Sequence, residues 1–185
     1  MTAVTVWTIG HSTRALDDFL GLLERERIDC LVDVRAFPVS KRYPHFDRES
    51  LSASLASRDL SYRHAPELGG RRTAPKDSEP SAWRNSGFRG YAHYMTTPAF
   101  ADAIADLKRD ASRQRSVIMC AEAVPWRCHR NLIADALVAS GDAVLHIGDS
   151  GVSVHQLTKF AVVAPSGTVL YPADASPKQL SLLGE

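Results

Sequence analysis

What most constrains this chain is the alternation of short apolar runs with longer stretches of helical periodicity. Residues 30–34 form such a run, bounded by polar residues, which is the pattern of a strand covered on both faces. Residues 4–9, 117–119 and 143–147 read as further strands, with 61–64 as a shorter candidate. Between them, Leu16, Phe19, Leu20 and Leu23 share one helical face, as do Phe100, Ala103, Ile104, Leu107 and Ala111 after Pro98. Leu51 and Leu55 mark another helix with Asp47 as its N-cap. Ile133, Ala136, Leu137 and Ser140 mark the inner face of a helix over about 127–139 that Gly141 stops. Strands alternating with helices predict an α/β fold, a mostly parallel central sheet with helices on both faces. Residues 160–171, with Pro165, Ser166 and Gly167 at the turn, add a C-terminal β-hairpin. Residues 67–90, rich in glycine, proline and arginine, lack apolar periodicity and read as a long functional connection.

With 185 residues, 44% of them hydrophobic, the chain has enough apolar material for one substantial core. The expected organisation is a single domain over 1–172 and a mobile tail over 173–185. Lys and Arg total 22 against 21 Asp and Glu, so no global field draws the protein to nucleic acid or an anionic membrane. Any anion site must therefore be local. The N-terminal residues show no basic segment followed by an apolar one, and no apolar stretch is long enough for a span, so a cytoplasmic protein without membrane contact is expected. Three cysteines, an odd number, point to reduced thiols rather than a disulfide framework.

In parallel α/β sheets ligands bind outside the carboxyl ends of the strands. That rule gathers His11, Asp33 with Arg35, and Cys120 with Glu122 on one rim. The strongest local signal is the stretch from Cys120 through Glu122 to Cys128, His129 and Arg130, which joins a buried strand to an amphipathic helix. A helix start favours anions and thiolates, so three uses are open: a nucleophilic thiolate, a metal site, or an oxyanion cradle with Arg127 and Arg130 as donors. Simple packing of the two cysteines is the alternative. Metal coordination has no support from spacing, since neither a C-x2-C nor an H-x3-H pair occurs; Cys120, Cys128, His129 and His11 meet only if the fold brings them together. The expectation is accordingly no metal and no cofactor. His11 and Glu122 are candidate acid–base groups and Cys120 and Cys128 candidate nucleophiles. Ser12 is either a ligand contact or the cap of the first helix. Asp33 and Arg35, two apart on a strand, share a side and suit an ion pair. Arg42, His45, Arg71 and Arg72 sit in loops able to fold over the rim, and Gly69-Gly70 gives backbone freedom beside it. The tail residues Gln179, Leu180, Ser181, Leu182 and Leu183 resemble the short peptide by which bacterial proteins dock on the replication sliding clamp, with Leu183 in place of the usual Phe.

Taken in order, Thr8-Ile9-Gly10-His11-Ser12, Leu31-Val32-Asp33-Val34-Arg35-Ala36-Phe37-Pro38, Pro66-Glu67-Leu68-Gly69-Gly70, Gly87-Phe88-Arg89-Gly90-Tyr91 and Cys120-Ala121-Glu122 with Cys128-His129-Arg130 resemble the family called domain of unknown function 488. The resemblance runs from about residue 6 to 148 and implies a small α/β domain of bacterial type without assigning a reaction. A second likeness is to rhodanese-type sulfurtransferases, which share a Leu-Val-Asp-Val-Arg strand and a later strand ending in Cys before a helix. Phosphatases of related loop chemistry use Cys-x5-Arg, whereas Arg127 lies seven residues after Cys120 and Pro125 and Trp126 interrupt the loop. Three functions follow as expectations. The first is a hydrolase or transferase acting on a phosphorylated small molecule or nucleic-acid end; the second is a clamp-docking adaptor in DNA maintenance; the third is a thiol sulfurtransferase.

Overall fold

The computed structural model describes residues 3–76, 78 and 81–173. Six strands form one sheet in the order β3-β2-β4-β1-β5-β6. These are β1 (Thr5–Gly10), β2 (Cys30–Asp33), β3 (Ser61–His64), β4 (Ser116–Cys120), β5 (Ala143–Gly148) and β6 (Gly151–Val154). The first five run parallel, and β6 pairs antiparallel with β5 at the edge. Every side chain of β2 and β4 is buried, which is why these strands read as apolar runs rather than alternating ones.

The pleat divides the strand residues between two cores. Trp7, Ile9, Leu31, Val117 and Met119 point toward helices α1 (Leu16–Arg25) and α2 (Arg48–Ala56), meeting Phe19, Leu23, Leu51 and Leu55. Val6, Val32, Ile118 and Cys120 point the other way, toward α3 (Ser86–Tyr94), α4 (Pro98–Ala111) and α5 (Arg130–Ala139). From β1 the chain passes outward to β2 and β3 on the α1/α2 side, returns through β4 between β2 and β1, and crosses by α5 to β5. The ends of β1 and β4 thus lie where the connections diverge, the place where such sheets open a crevice. A separate pair, β7 (Val162–Val163) with β8 (Val169–Leu170), forms the expected hairpin, and buries Val169 and the adjoining Tyr171 in the α5-side core.

The structure corrects several local expectations. Residues 67–90 are not one irregular connection: a single 3-10 turn occupies Pro66–Leu68, and α3 starts at Ser86, held by the Asn85 side chain, which accepts from the Gly87 and Phe88 amides. Two glycines and an arginine in that helix hide its periodicity. Edge strand β6 escapes notice because its residues are mostly exposed, with Val154 71% accessible. Helix α5 begins at Arg130 and is buried on nearly every side, so Arg130, Asn131 and Asp135 face inward together with Ile133 and Leu137, while Ser140 is exposed. Asp47 precedes α2 but its carboxylate accepts the Ser40 amide instead of capping the helix. Ser12 does not cap α1, whose N-cap position is Ala15. No helix among the described residues is long and apolar enough to cross a membrane. Gln179, Leu180, Leu182 and Leu183 lie outside the described residues.

Candidate functional site

The β1–β4 ladder continues beyond the strands: the His11 amide donates to the Cys120 carbonyl and the Ser12 amide to the Ala121 carbonyl, both at 2.9 Å. This sets His11 beside Cys120 at the rim. On the α1/α2 side, Arg35 forms a two-pronged ion pair with Asp33 (Nε–Oδ1 2.9 Å, Nη2–Oδ2 2.6 Å), and Tyr62 donates its hydroxyl to the same carboxylate at 2.8 Å. Arg35 also donates to the Phe46 carbonyl at 2.8 Å. His11 stacks on Phe46 at 4.3 Å, donates from Nδ1 to the Ser12 carbonyl, and turns Nε2 toward Arg35 Nη1 at 3.4 Å. Burial, followed by the Arg35 charge, lowers its pKa to about 4, so the ring is neutral near neutral pH with both nitrogens engaged. His11 is thus held between Phe46, the Ser12 carbonyl and Arg35 at the cavity wall.

Across the sheet, the loop from Ala121 to His129 folds back over the end of β1. A Cβ on Gly10 would lie 1.7 Å from the Glu122 carbonyl oxygen, so only glycine lets the loop cross there. Arg130, 1% exposed, anchors the loop from below, donating to the Glu122 carbonyl at 2.6 Å and to Thr8 Oγ1 at 3.0 Å. The amides of Cys128, Asn131 and Leu132 donate to the carbonyls of Pro125, Cys128 and His129. The start of α5 thus presents no cradle built on Arg130 and these amides; both are occupied by the loop itself.

The same loop brings Cys120, Cys128 and His129 together, with both sulfurs and Nδ1 within 4.8 Å of one another. Nδ1 lies 3.6 Å from Cys128 Sγ and 4.0 Å from Cys120 Sγ. The other ring nitrogen, Nε2, is 3.1 Å from the Val34 carbonyl, which only accepts; Nε2 must carry the proton, and the Nδ1 lone pair faces the thiols. A hydrogen bond from Cys120 pulls the Cys128 thiol down and pushes Cys120 up, and the Arg130 charge adds to the lowering at Cys128 against the opposing effect of burial. Gly70 presses on this imidazole, since a Cβ there would come within 2.4 Å of Nδ1.

Beneath the site runs a polar chain that sequence reasoning missed. His155 Nε2 donates to Asp135 at 2.9 Å, so its Nδ1 accepts from His146 Nε2 at 2.9 Å, and His146 Nδ1 accepts from Thr8 Oγ1 at 2.7 Å. Thr8 in turn accepts from Arg130. With a neutral His155 ring, every proton in this chain has one direction. Asp135 also receives Tyr171 and Thr158 at 2.7 Å each, tying α5 to the hairpin. Thr8 and Asp135 sit among apolar neighbours in sequence, and a polar residue in such a run was the available signal.

A cavity of about 530 Å³ opens on both halves of the rim. Cys120, Cys128 and His129 line it together with His11, Arg35, Gly70, Arg71, Glu122 and Arg127. Arg71 and Arg127 are exposed and form no ion pair among the described residues. Phe37, also in the lining, is 65% exposed with the Arg71 guanidinium over its ring at 5.2 Å, and Trp126 beside Arg127 is 66% exposed. Asp33 and Arg130 lie behind the lining, Gly69 packs on Ala36, and Arg42 stands over Tyr43 away from the cavity. Arg72 is over Tyr94 at 3.7 Å, while the His45 ring lies tilted against Phe46 at 4.4 Å.

The family model described as domain of unknown function DUF488 matches residues 15–137. The chain belongs to the DUF488 family. The DUF488 match takes in both halves of the rim from Asp33 to Arg130, whereas His11 and Ser12 precede it. No curated protein and no solved structure matches the chain.

Proposed function

We propose that this DUF488 protein is an enzyme acting on a phosphorylated nucleoside or nucleic-acid end. The observation that carries the reading is the composition of a cavity at the strand rim: exposed arginines without carboxylate partners among the described residues, an exposed aromatic ring and a carboxylate frame a Cys–Cys–His floor. Arg71 and Arg127 suit a phosphate, for which guanidinium offers paired donors. Phe37, in the same lining and 65% exposed, offers a ring face on which a base stacks. Glu122, exposed and in the same lining, is the group to accept a proton from the attacking nucleophile. The reaction centre is the Cys120, Cys128 and His129 cluster, where His129 turns a fixed lone pair toward the cavity floor.

Equilibrium titration with nucleoside monophosphates and a 5′-phosphorylated oligonucleotide tests the reading. Binding is expected, with the double variant R71A/R127A weakening it by about a hundredfold or more, since each charge-assisted contact contributes about 1.5–3 kcal/mol. Phosphate or base release by the wild type and its loss in Glu122→Gln then identifies the reaction. No binding by any of these ligands, or binding indifferent to the two arginines, overturns the proposal.

A further inference from the structure

Cys120, Cys128 and His129 form a mononuclear metal site: we infer that they hold one zinc-class ion, with a fourth position open to the cavity. The inference deepens the function proposed above by naming what activates the nucleophile at its floor.

The spacing is the first argument. A tetrahedral zinc ion with about 2.3 Å bonds to sulfur and about 2.0 Å to nitrogen places its ligands about 3.5 to 3.8 Å apart. The observed Nδ1 to sulfur separations of 3.6 and 4.0 Å, with all three atoms inside 4.8 Å, need only a small contraction around such an ion. The second argument is independent of spacing. A ligating histidine characteristically donates its other N–H to a carbonyl or carboxylate, which fixes tautomer and ring plane. His129 does so to the Val34 carbonyl at 3.1 Å, and Gly70 packs against the ring near Nδ1. The Val34 carbonyl sets the ligating tautomer and Gly70 confines the ring.

Charge gives the third argument. Cys120 and Cys128 are 9% and 4% exposed, where two thiolates alone are costly, while two thiolates with one divalent cation are neutral. Two sulfurs and an imidazole select zinc over magnesium or calcium, which prefer oxygen. Openness gives the fourth. All three residues line the cavity and no other Cys, His, Asp or Glu among the described residues joins the group, so the remaining corner faces solvent, as in catalytic rather than structural zinc sites. A water there has Glu122 in the same lining to receive its proton.

The test is metal analysis of the full chain purified without chelator and after incubation with zinc and removal of excess. About one zinc per chain is expected for wild type and for Cys30→Ser, whose thiol lies elsewhere in the core, falling at least about tenfold in Cys128→Ser and His129→Gln. Should a variant fail to fold, cobalt(II) loading of wild type supplies the second readout: thiolate-to-metal absorption and the intense visible bands of tetrahedral cobalt. Sub-stoichiometric zinc with no cobalt spectrum overturns the site. So does rapid alkylation of Cys120 and Cys128 that added zinc does not slow. Metal content is read without nucleotide and the arginine variants without reference to metal, so either proposal can fail while the other stands.

Discussion

Protonating His146 is expected to unfold the protein's interior polar chain as well as charge it. Its pKa is lowered to about 4 by burial first, then by the neighbouring His155 and the Arg130 charge, with Asp135 opposing. In the folded protein Nδ1 accepts the Thr8 hydroxyl and Nε2 donates to His155, so an added proton on Nδ1 meets a donor and faces the guanidinium that Thr8 itself contacts. The folded pKa lies below the unfolded value near 6.5, so the unfolded state takes up the proton first. The stabilisation is fully present above pH 6.5 and is lost as pH falls toward 4. By linkage, one such histidine lowers the unfolding free energy by about 2 kcal/mol at pH 5. His11, shifted the same way by burial and Arg35, contributes a similar slope. Urea titrations at pH 7, 6 and 5 read the effect, a loss of about 2 kcal/mol per group moving the midpoint down by about 1 M for a slope near 2 kcal/mol per M. His146→Gln should be less stable at pH 7 yet lose only about half as much as wild type between pH 7 and 5. A wild-type stability that is flat over this range, or a variant that keeps the full acid slope, refutes the assigned direction of the chain.

Two further outcomes follow from packing and charge. Asp33→Asn leaves the Arg35 guanidinium, 6% exposed, facing a neutral amide; thermal or urea unfolding should show a loss of about 3–5 kcal/mol, and an unchanged midpoint would mean the pair is not buried as described. Gly70→Ala sets a methyl group against the His129 ring, so zinc content or cobalt absorption should drop while stability falls by about 1–3 kcal/mol; full metal loading in this variant removes Gly70 from the support of the ring.

The sheet was legible because its strands leave clear marks. Residues 30–34 and 117–119 are apolar enough to require cover on both faces, and the helical faces built on Phe19, Leu23, Phe100 and Leu107 supply that cover. The carboxyl-end rule then placed His11, Asp33, Cys120 and Glu122 on one rim, and Asp33 with Arg35 in one pair, from strand parity alone. What escaped depends on distance through space rather than along the chain. Cys120 and Cys128 have no metal-type spacing, and their meeting with His129 exists because the loop folds over Gly10. Arg130 looks like an anion donor in sequence, since a guanidinium next to a helix start reads as exposed; only its contacts with Thr8 and the Glu122 carbonyl show it turned inward. The helix at 86–94 was hidden by its glycines, one of which, Gly90, lies against the backbone of Arg72.

The placement of the Cys120, Cys128 and His129 cluster is therefore a property of the interior. Each of its three side chains leaves a segment whose position is set from below: Cys120 by the β4 ladder, Cys128 and His129 by a loop that Arg130 ties to Thr8. Thr8 is held by His146, His146 by His155, and His155 by Asp135, which also binds the hairpin through Tyr171. Each link of this chain from Asp135 to the Arg130 Nη1 is paired, only the Arg130 Nε being left without a partner among the described residues, and such directional pairing in a buried setting favours a single arrangement over a range of them. A geometry needing sulfur and nitrogen atoms matched to within a few tenths of an ångström requires that kind of support. The hairpin, remote from the cavity, is thus coupled to it through α5, and shortening the chain ahead of Tyr171 should loosen the loop that carries Cys128 and His129.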